Sequence, residues 1–267
     1  MEFRSVKEYY EQFLYAVYTI PEAVIFTRRK RLWEGFWRYG WVSRLLIILA
    51  IIAGIKFFDL LFDWFDRVDT SDPLSAASSL GTFFTDVAAE ELKFLFSGGL
   101  KYAMLALMEI LIFHISRRTF QLLSGKDSDA TFRAFIRAQV RMLKVTLRSY
   151  VLEMVIVTLI NVATGIMGFL EPLGWIAILG VQAYYMGFTI IDNHFEQFGL
   201  TIKESIRESR NFLGIVLALG LILNLFFIIP VVGTIVGPIL ATVAATMIMF
   251  ELGEAHKRHH DAAVDMV

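Results

Sequence analysis

Ionisable side chains inside otherwise apolar runs are the first candidates for chemistry in this sequence. Lys101, Glu109 and Glu153 each occur among mostly apolar residues. A charge at the centre of a bilayer costs about 2.5–3.5 kcal/mol on insertion scales, so each of them needs a partner or water. Lys101 and Glu109 lie about two helical turns apart and could each pair with another helix, while Arg148 or Arg141 could neutralise Glu153. Two interpretations stay open for all three: a satisfied structural pair, or a part in a relay or permeation pathway.

Two asparagines also lie in the middle of apolar runs. Asn161 and Asn224 are expected to hydrogen-bond between helices, because an amide in hydrocarbon needs a polar partner. Asn224 is in addition a candidate for lining a pathway.

Signatures of enzymes are missing from the sequence. It contains no GxxxxGK[ST], HExxH, GxSxG or GxGxxG pattern, and no cysteine. Asp192, His194 and Glu196 alternate and resemble a metal site only weakly, because alternate positions of a helix do not face one another. We therefore expect no enzymatic activity, no metal and no cofactor.

The composition indicates the environment in which these groups act. The chain has 267 residues, of which 57% are hydrophobic and 19% charged. Average soluble domains are about 45–50% apolar and about 25% charged. This surplus of apolar residues, with 24 phenylalanines, excludes a water-soluble globular domain and a disordered chain. The sequence is typical of an integral membrane protein.

Six apolar runs are long enough to approach the roughly 20 residues that a membrane-spanning helix needs. They cover about residues 41–61, 94–115, 150–168, 173–191, 212–229 and 231–250. Backbone amides in lipid must bond internally, so the runs should be helices. The sequence predicts an all-α integral membrane protein with two long transmembrane helices and two helical hairpins, which make four to six crossings. The hairpins could cross the bilayer fully or be partly embedded.

Glycine and proline mark the connection of the second hairpin. Pro230, Gly233, Gly237 and Pro238 interrupt the apolar run there. They predict first a bend in the backbone. The alternative is a pathway lining, because irregular backbone at membrane depth is tolerated against protein or a water-filled cavity.

The formal net charge of -1 conceals a segregation of charges. Acidic residues dominate 59–91, whereas Lys and Arg dominate 28–44 and 116–148. The positive-inside rule then predicts that both chain ends are cytoplasmic (N-in, C-in). The membrane domain is expected to cover 41–252, followed by a cytoplasmic tail, 253–267.

Residues 1–40 place aromatic and aliphatic residues at helical spacing among polar ones. They predict an amphipathic helix, which either lies in the interface or packs on the membrane domain as a soluble helix. A second amphipathic helix should begin near Ser128 or Asp129 and continue into the third span.

Five bases of this second helix recur at steps of three and four residues, at positions 133, 137, 141, 144 and 148. They predict contact with lipid headgroups, or alternatively collection of an anion at a cytoplasmic pore mouth. Nucleic acid is not an expected partner, because no base-stacking module accompanies the charges.

The C-terminal third resembles a known family. Residues 185–187, 191–192 and 198–207, then 219–221, 228–232, 237–238 and 241–246, follow an order similar to that of the sulfate permease family of bacterial inner-membrane proteins (the CysZ type). The similarity covers about residues 184–252. Elsewhere it extends to the architecture of two long spans, a long cytoplasmic helix and two hairpins.

This resemblance implies a multi-pass protein of the bacterial inner membrane that takes up sulfate and forms a homo-oligomer in the lipid bilayer. Members of the family carry a Gly-Leu-Arg stretch that engages the oxyanion. Its nearest counterpart here is residues 28–33, so Arg28, Arg29 and Arg31 are the implied oxyanion-binding residues, through charge-assisted hydrogen bonds.

Because the Gly-Leu-Arg stretch itself is missing, a second function is also predicted. The chain could share the fold and act as a membrane scaffold or assembly partner without transport.

Overall fold

The computed structural model describes residues 5–34, 99–125, 132–166, 171–229 and 232–264, and every regular element in these ranges is an α-helix. The helices are α1 (Val6–Lys30), α2 (Gly99–Ser124), α3 (Phe132–Ile166), α4 (Glu171–Gln197), α5 (Ile202–Asn211), α6 (Leu213–Phe227) and α7 (Val232–Val264). The predicted span 41–61 and the acidic segment lie outside the described residues. Within those residues, the predicted all-helical class is confirmed.

The N-terminal helix predicted in residues 1–40 is present as α1. The hydroxyl of its N-cap, Ser5, accepts a hydrogen bond of 3.3 Å from the backbone N–H of Glu8. Ala16, Thr19 and Ala23 form its buried face, and α1 contacts α6 and α7. α1 thus packs on the apolar helices, and its position relative to the membrane interface stays a prediction.

Two polar side chains of α1 fix its position on the bundle. Gln12 donates from Nε2 to the carbonyl oxygen of Asn211 at 2.9 Å, and its Oε1 accepts from the backbone N–H of Gly214 at 3.2 Å. The amide therefore satisfies backbone groups on both sides of the break between α5 and α6. Tyr15 donates from its hydroxyl to Glu251. Burial, followed by this hydrogen bond, raises the pKa of Tyr15.

The long helix expected before the third span is confirmed. α3 runs without interruption over 35 residues. Its predicted caps, Ser128 and Asp129, lie outside the described residues. α3 packs against α4 in the antiparallel sense, because Arg141 contacts Asp192 near one end and Thr164 contacts Gly174 near the other.

A tight turn separates α4 from α5. Gly199 has a φ of 72°, a left-handed conformation that glycine adopts without steric cost. The backbone N–H of Thr201 then donates to Oε2 of Glu204 at 2.7 Å, and the backbone N–H of Glu204 donates to Oγ1 of Thr201 at 3.4 Å. This capping box begins α5. Its hydrogen bonds hold the pKa of the exposed Glu204 carboxyl below its usual value.

The predicted span 212–229 differs from the helix that is found. α6 has 15 residues, about 22 Å at 1.5 Å per residue, whereas the hydrocarbon core is about 30 Å thick. α5 precedes it at an angle of 98°. α6 ends because Ile229 turns back and donates from its N–H to the carbonyl of Phe226 at 2.9 Å.

The last helix extends beyond the predicted limit at residue 252. α7 continues to Val264, into the segment expected to be a tail. Pro238 lies inside α7 rather than in a connection.

Glycines bring the helices into close contact. A β-carbon built on Gly187 of α4 would lie 1.8 Å from the carbonyl oxygen of Val216, and one on Gly220 would lie 1.7 Å from that of Ala183. The pairing of 187 with 216 and of 183 with 220 makes α4 and α6 antiparallel. Close approach at small residues is typical of helix packing in membranes.

Three helices of the described residues are long and apolar enough to cross a membrane. They cover Ile136–Ile166, Pro172–Gln197 and Ile235–Gly253, and α5 with α6 could form a fourth, broken span. The fold is thus that of an all-helical membrane protein, in which α1 packs on the apolar helices.

Candidate functional site

Polar side chains of α2, α4 and α7 meet inside the bundle. The hydroxyl of Ser116 on α2 lies 3.2 Å from that of Thr246 on α7. Ser116 also accepts a hydrogen bond of 2.6 Å from Nε2 of Gln197 on α4. Thr246 donates to the carbonyl of Thr242 at 2.8 Å. Three helices are therefore joined through hydroxyl and amide groups at one level of the bundle.

These three helices run in the same direction. Ser116 lies beside Thr246, and the rings of Phe120 and Phe250 lie 5.9 Å apart, so α2 and α7 are parallel. α4 is antiparallel to α6, and the chain reverses between α6 and α7, so α4 is parallel to α7.

The polar positions repeat along each helix at multiples of one turn. Asn193 precedes Gln197 by four residues and Thr242 precedes Thr246 by four. Glu109 precedes Ser116 by seven residues, or about two turns. Such spacings keep side chains on one helix face. We call this set the polar seam; its members are Glu109, Ser116, Asn193, Gln197, Thr242 and Thr246.

Three oxygen atoms of the polar seam have no hydrogen-bond partner in the described part of the chain. They are Oε1 of Glu109, Oδ1 of Asn193 and Oγ1 of Thr242, in residues that are only 5%, 4% and 1% exposed. Leaving a buried polar group unpaired costs about 1–3 kcal/mol. Such oxygens can accept hydrogen bonds from water or from a polar solute that carries donor groups.

A buried ion pair lies beside the polar seam. Arg141 of α3 binds both carboxylate oxygens of Asp192, from Nη2 at 2.8 Å and from Nε at 3.3 Å. The same guanidinium donates to Oγ of Ser205 at 2.9 Å and to the carbonyl of Leu200. Asp192 is fully buried and the Arg141 side chain is 16% exposed. Arg141 thus joins α3, the end of α4 and the start of α5, and we call these contacts the Arg141 cluster.

The Arg141 cluster revises the predicted basic face of α3. Arg137, Lys144 and Arg148 are exposed, as contact with headgroups would require. Arg141 is instead directed at α4, because Asp192 and the turn after α4 supply acceptors for its donors. The carboxyl groups of Asp192 and Glu196 are close enough to Glu109 to act on it electrostatically. This part of the interior therefore contains several acidic groups.

Arg28, Arg29 and Arg31 lie at the C-terminal end of α1, where their side chains are exposed. Cations here interact favourably with the negative end of the helix dipole. Arg31 takes a φ of 45° and forms an ion pair of 3.3 Å with Glu34. The free backbone groups at the C-terminal end of α1 are carbonyls, which cannot donate hydrogen bonds to an anion. Any hydrogen-bond donors for an anion at this place are therefore side chains.

The glycines and proline predicted as a bend or pathway lie at a helix contact. Gly233, Gly237 and Pro238 are buried in the first turns of α7. A β-carbon on Gly233 would lie 1.7 Å from the carbonyl oxygen of Phe226, so the glycines allow α6 and α7 to approach. Asn224 is half-buried, and its Nδ2 has no hydrogen-bond partner among the residues that the structure describes. Pro230 lies outside the described residues, and a pathway lining stays a prediction.

The ionisable residues predicted at membrane depth differ in their surroundings. Glu153 is 2% exposed and has an interaction partner, which fits a satisfied structural group. Glu109 belongs to the polar seam. Lys101 lies on α2, at a position whose side-chain surroundings are outside the described part.

Asp192, His194 and Glu196 separate into different environments. Asp192 binds Arg141, whereas His194 packs against the rings of Phe120 and Phe198 with centroid distances of 6.1 and 4.9 Å. No group of three metal-ligating side chains occurs in the described ranges.

Sequence reasoning identified Glu109 but not the remaining members of the polar seam. Single Ser, Thr, Asn and Gln residues are frequent in apolar helices, so their presence alone did not indicate a site. Their signal was the spacing of four between Asn193 and Gln197 and between Thr242 and Thr246.

The fold and the polar seam define the class: an all-helical membrane protein with hydrogen-bonding groups in its interior. No family model, no curated protein and no solved structure matches the chain.

Proposed function

We propose that this chain is a membrane permease that mediates uptake of an inorganic oxyanion such as sulfate. The observation that supports this proposal is the polar seam. Its hydroxyl and amide N–H groups can donate hydrogen bonds to an oxyanion, and the buried oxygens without a partner in the described residues can accept hydrogen bonds from water that accompanies the ion. Polar groups at membrane depth are costly and often mark solute pathways.

The identity of the solute rests on the resemblance to the sulfate permease family. In this proposal, Arg28, Arg29 and Arg31 bind the anion at the cytoplasmic end of its path across a bacterial inner membrane. Guanidinium groups bind oxyanions through paired, charge-assisted hydrogen bonds. Their exposure leaves these side chains accessible to a dissolved ion.

Sulfate uptake into proteoliposomes tests this proposal. We expect uptake above empty vesicles for the wild type, and at least a tenfold loss for Arg28→Ala/Arg29→Ala/Arg31→Ala at low sulfate, since a single charge-assisted hydrogen bond contributes about 1.5–3 kcal/mol and about 1.4 kcal/mol corresponds to a factor of ten. The control, Lys7→Ala/Lys203→Ala/Arg210→Ala, also removes three exposed positive charges and should keep wild-type uptake.

Two outcomes contradict the proposal. One is the absence of sulfate uptake by the wild type, and the other is an equal effect of both triple variants. Rubidium uptake, measured in parallel, reports the sign of the charge that passes. Cation flux without sulfate flux would mean that the chain carries a cation and not an oxyanion, and the acidic groups of Glu109 and Glu196 would favour a cation.

A membrane scaffold or assembly partner is the second candidate. The Arg141 cluster and the backbone contacts at Gly187 and Gly220 favour it, because they hold α3, α4 and α6 in one arrangement. Purification from solubilised membranes distinguishes the two. A stoichiometric partner protein together with zero flux supports the scaffold, whereas flux by the purified chain alone excludes a purely structural role.

A further inference from the structure

The chain turns into the bundle directly after α1. Arg31 adopts a left-handed conformation with a φ of 45°, and the next residue, Leu32, is fully buried. The imidazole of His114 on α2, itself only 7% exposed, hydrogen-bonds to the backbone of Leu32 and of Glu34. Because Nε2 of His114 has no hydrogen-bond partner in the described ranges, Nδ1 is the ring nitrogen that makes these contacts. The end of α1 is therefore fixed against α2.

Two further arginines lie one turn from this contact. Arg117 and Arg118 follow His114 by three and four residues, which places all three on the same side of α2. Both arginines act electrostatically on His114, so their positive charges lie close to the end of α1. The exposed arginines at that end of α1 are Arg28, Arg29 and Arg31. The contact at His114 thus brings together two groups of arginines that are far apart in the sequence.

The arginines of these two groups differ in their partners. Arg31 forms an ion pair of 3.3 Å with Glu34, and Arg117 has an interaction partner. Arg118 is half-buried and makes no hydrogen bond or ion pair within the part of the chain that the structure describes. A half-buried guanidinium loses part of its hydration, and an anion can restore the lost hydrogen bonds. Arg118 is therefore suited to bind an anion.

We propose that the oxyanion site is divided between two helices, with Arg117 and Arg118 of α2 binding the same tetrahedral oxyanion as the arginines at the end of α1. His114 is a positioning residue, because it holds the two halves together through the backbone that follows α1. Planar guanidinium groups on two elements can bind different faces of one tetrahedral anion. That the anion is sulfate rests on the proposed function.

The position of these arginines agrees with a path along the polar seam. Ser116, which hydrogen-bonds to Gln197 and Thr246, directly precedes Arg117. The arginines of α2 therefore lie at the depth at which the hydrogen bonds of the seam end. The phosphate of a lipid headgroup has the same tetrahedral oxyanion chemistry, so the experiment measures a dissolved ion and a lipid separately.

Binding of radiolabelled sulfate to the purified chain in detergent tests the divided site without requiring transport. We expect Arg118→Gln to raise the dissociation constant at least about tenfold, as for loss of one charge-assisted hydrogen bond. Arg210→Gln removes an exposed arginine of α5 and is the matched control, which should bind sulfate as the wild type does. A second arm measures binding of short-chain phosphatidylglycerol to the same variants.

The positioning role of His114 is tested by the dependence of uptake on sulfate concentration. We expect His114→Leu to raise the concentration for half-maximal uptake about two- to tenfold at an unchanged maximal rate, because the arginines remain but are less ordered. His114→Asn keeps an N–H donor close to the position of Nδ1 and should recover most of the affinity. A lower maximal rate with unchanged half-saturation in the leucine variant contradicts this role.

Three results overturn the divided site: an unchanged sulfate affinity in Arg118→Gln, equal losses in Arg118→Gln and Arg210→Gln, and binding of the lipid without binding of sulfate. Sulfate binding that depends on Arg118, without any uptake, would support the divided site and contradict the permease. Sulfate uptake that does not depend on Arg118 would contradict the divided site and leave the permease in place.

Discussion

Arg141→Met is expected to destabilise the protein by about 3–5 kcal/mol, because it leaves the carboxylate of Asp192 buried without its partner. Asp192 is fully buried, and Arg141 supplies two hydrogen bonds to it, at 2.8 and 3.3 Å. The substitution also leaves Oγ of Ser205 and the carbonyl of Leu200 without the guanidinium donors. Reversible unfolding in mixed detergent micelles measures the loss.

Two further variants separate this cause from a general effect of losing a charge. Lys144→Met removes an exposed base from the same helix and should change the unfolding free energy by less than about 1 kcal/mol. Arg141→Met/Asp192→Leu removes both charges and should recover much of the stability, because apolar replacement of a whole buried pair is often tolerated. A double variant less stable than Arg141→Met contradicts this explanation.

Gly187→Ala is expected to cost about 3 kcal/mol, at the upper end of what overpacking usually costs. The added β-carbon would lie 1.8 Å from the carbonyl oxygen of Val216 and 3.0 Å from the backbone nitrogen of Gly220. A side chain could rotate away, but these atoms are backbone. The two helices α4 and α6 must therefore move apart along their contact, which also weakens the packing of Ala183 against Gly220.

Gly180→Ala, on the same helix, is the matched control. A β-carbon at Gly180 meets no atom within 4 Å. Alanine is favoured over glycine inside helices, so this variant should gain about 0.5–1 kcal/mol. Thermal unfolding of both variants in one detergent provides the comparison. Equal midpoints for the two variants would show that α4 and α6 do not approach at Gly187.

Local features of the fold could be predicted from the sequence because they depend on residues close together in the chain. The spacing of bases before the third span predicted the uninterrupted helix α3, and the amphipathic pattern of residues 1–40 predicted α1. The end of α6 also has a signal in the sequence, because Pro230 disfavours a helical conformation of residue 229. The close approach of Gly233 and Gly237 to Phe226, by contrast, is a contact between two helices that the sequence does not indicate.

The candidate site likewise contains residues that the sequence indicated and residues that only contacts between helices identify. Glu109 was recognisable because a carboxyl group in an apolar run is rare. Arg141 could not be distinguished from the other bases of α3, because its partner Asp192 is 51 positions away in the sequence. The sequence placed Arg141 on the basic face of α3 and offered Glu153 as its possible partner, whereas the structure pairs it with Asp192.

The glycine and proline cluster illustrates a further limit. A glycine in an apolar helix has the same sequence signature whether it bends the backbone, lines a pathway or admits a neighbouring helix. Only the contact of Gly233 with the carbonyl of Phe226 identifies the third role.

The measurement that tests the proposed route most directly is sulfate uptake by Asn193→Leu in proteoliposomes, with Asn161→Leu as control. Leucine at 193 removes a buried oxygen of the polar seam that has no partner in the described residues, and puts an apolar side chain in its place. Leucine at 161 makes the same change on the exposed surface of α3. If sulfate passes along the polar seam, uptake should fall at least tenfold in Asn193→Leu and stay near the wild-type rate in Asn161→Leu. Wild-type uptake by Asn193→Leu would show that sulfate does not cross along the seam.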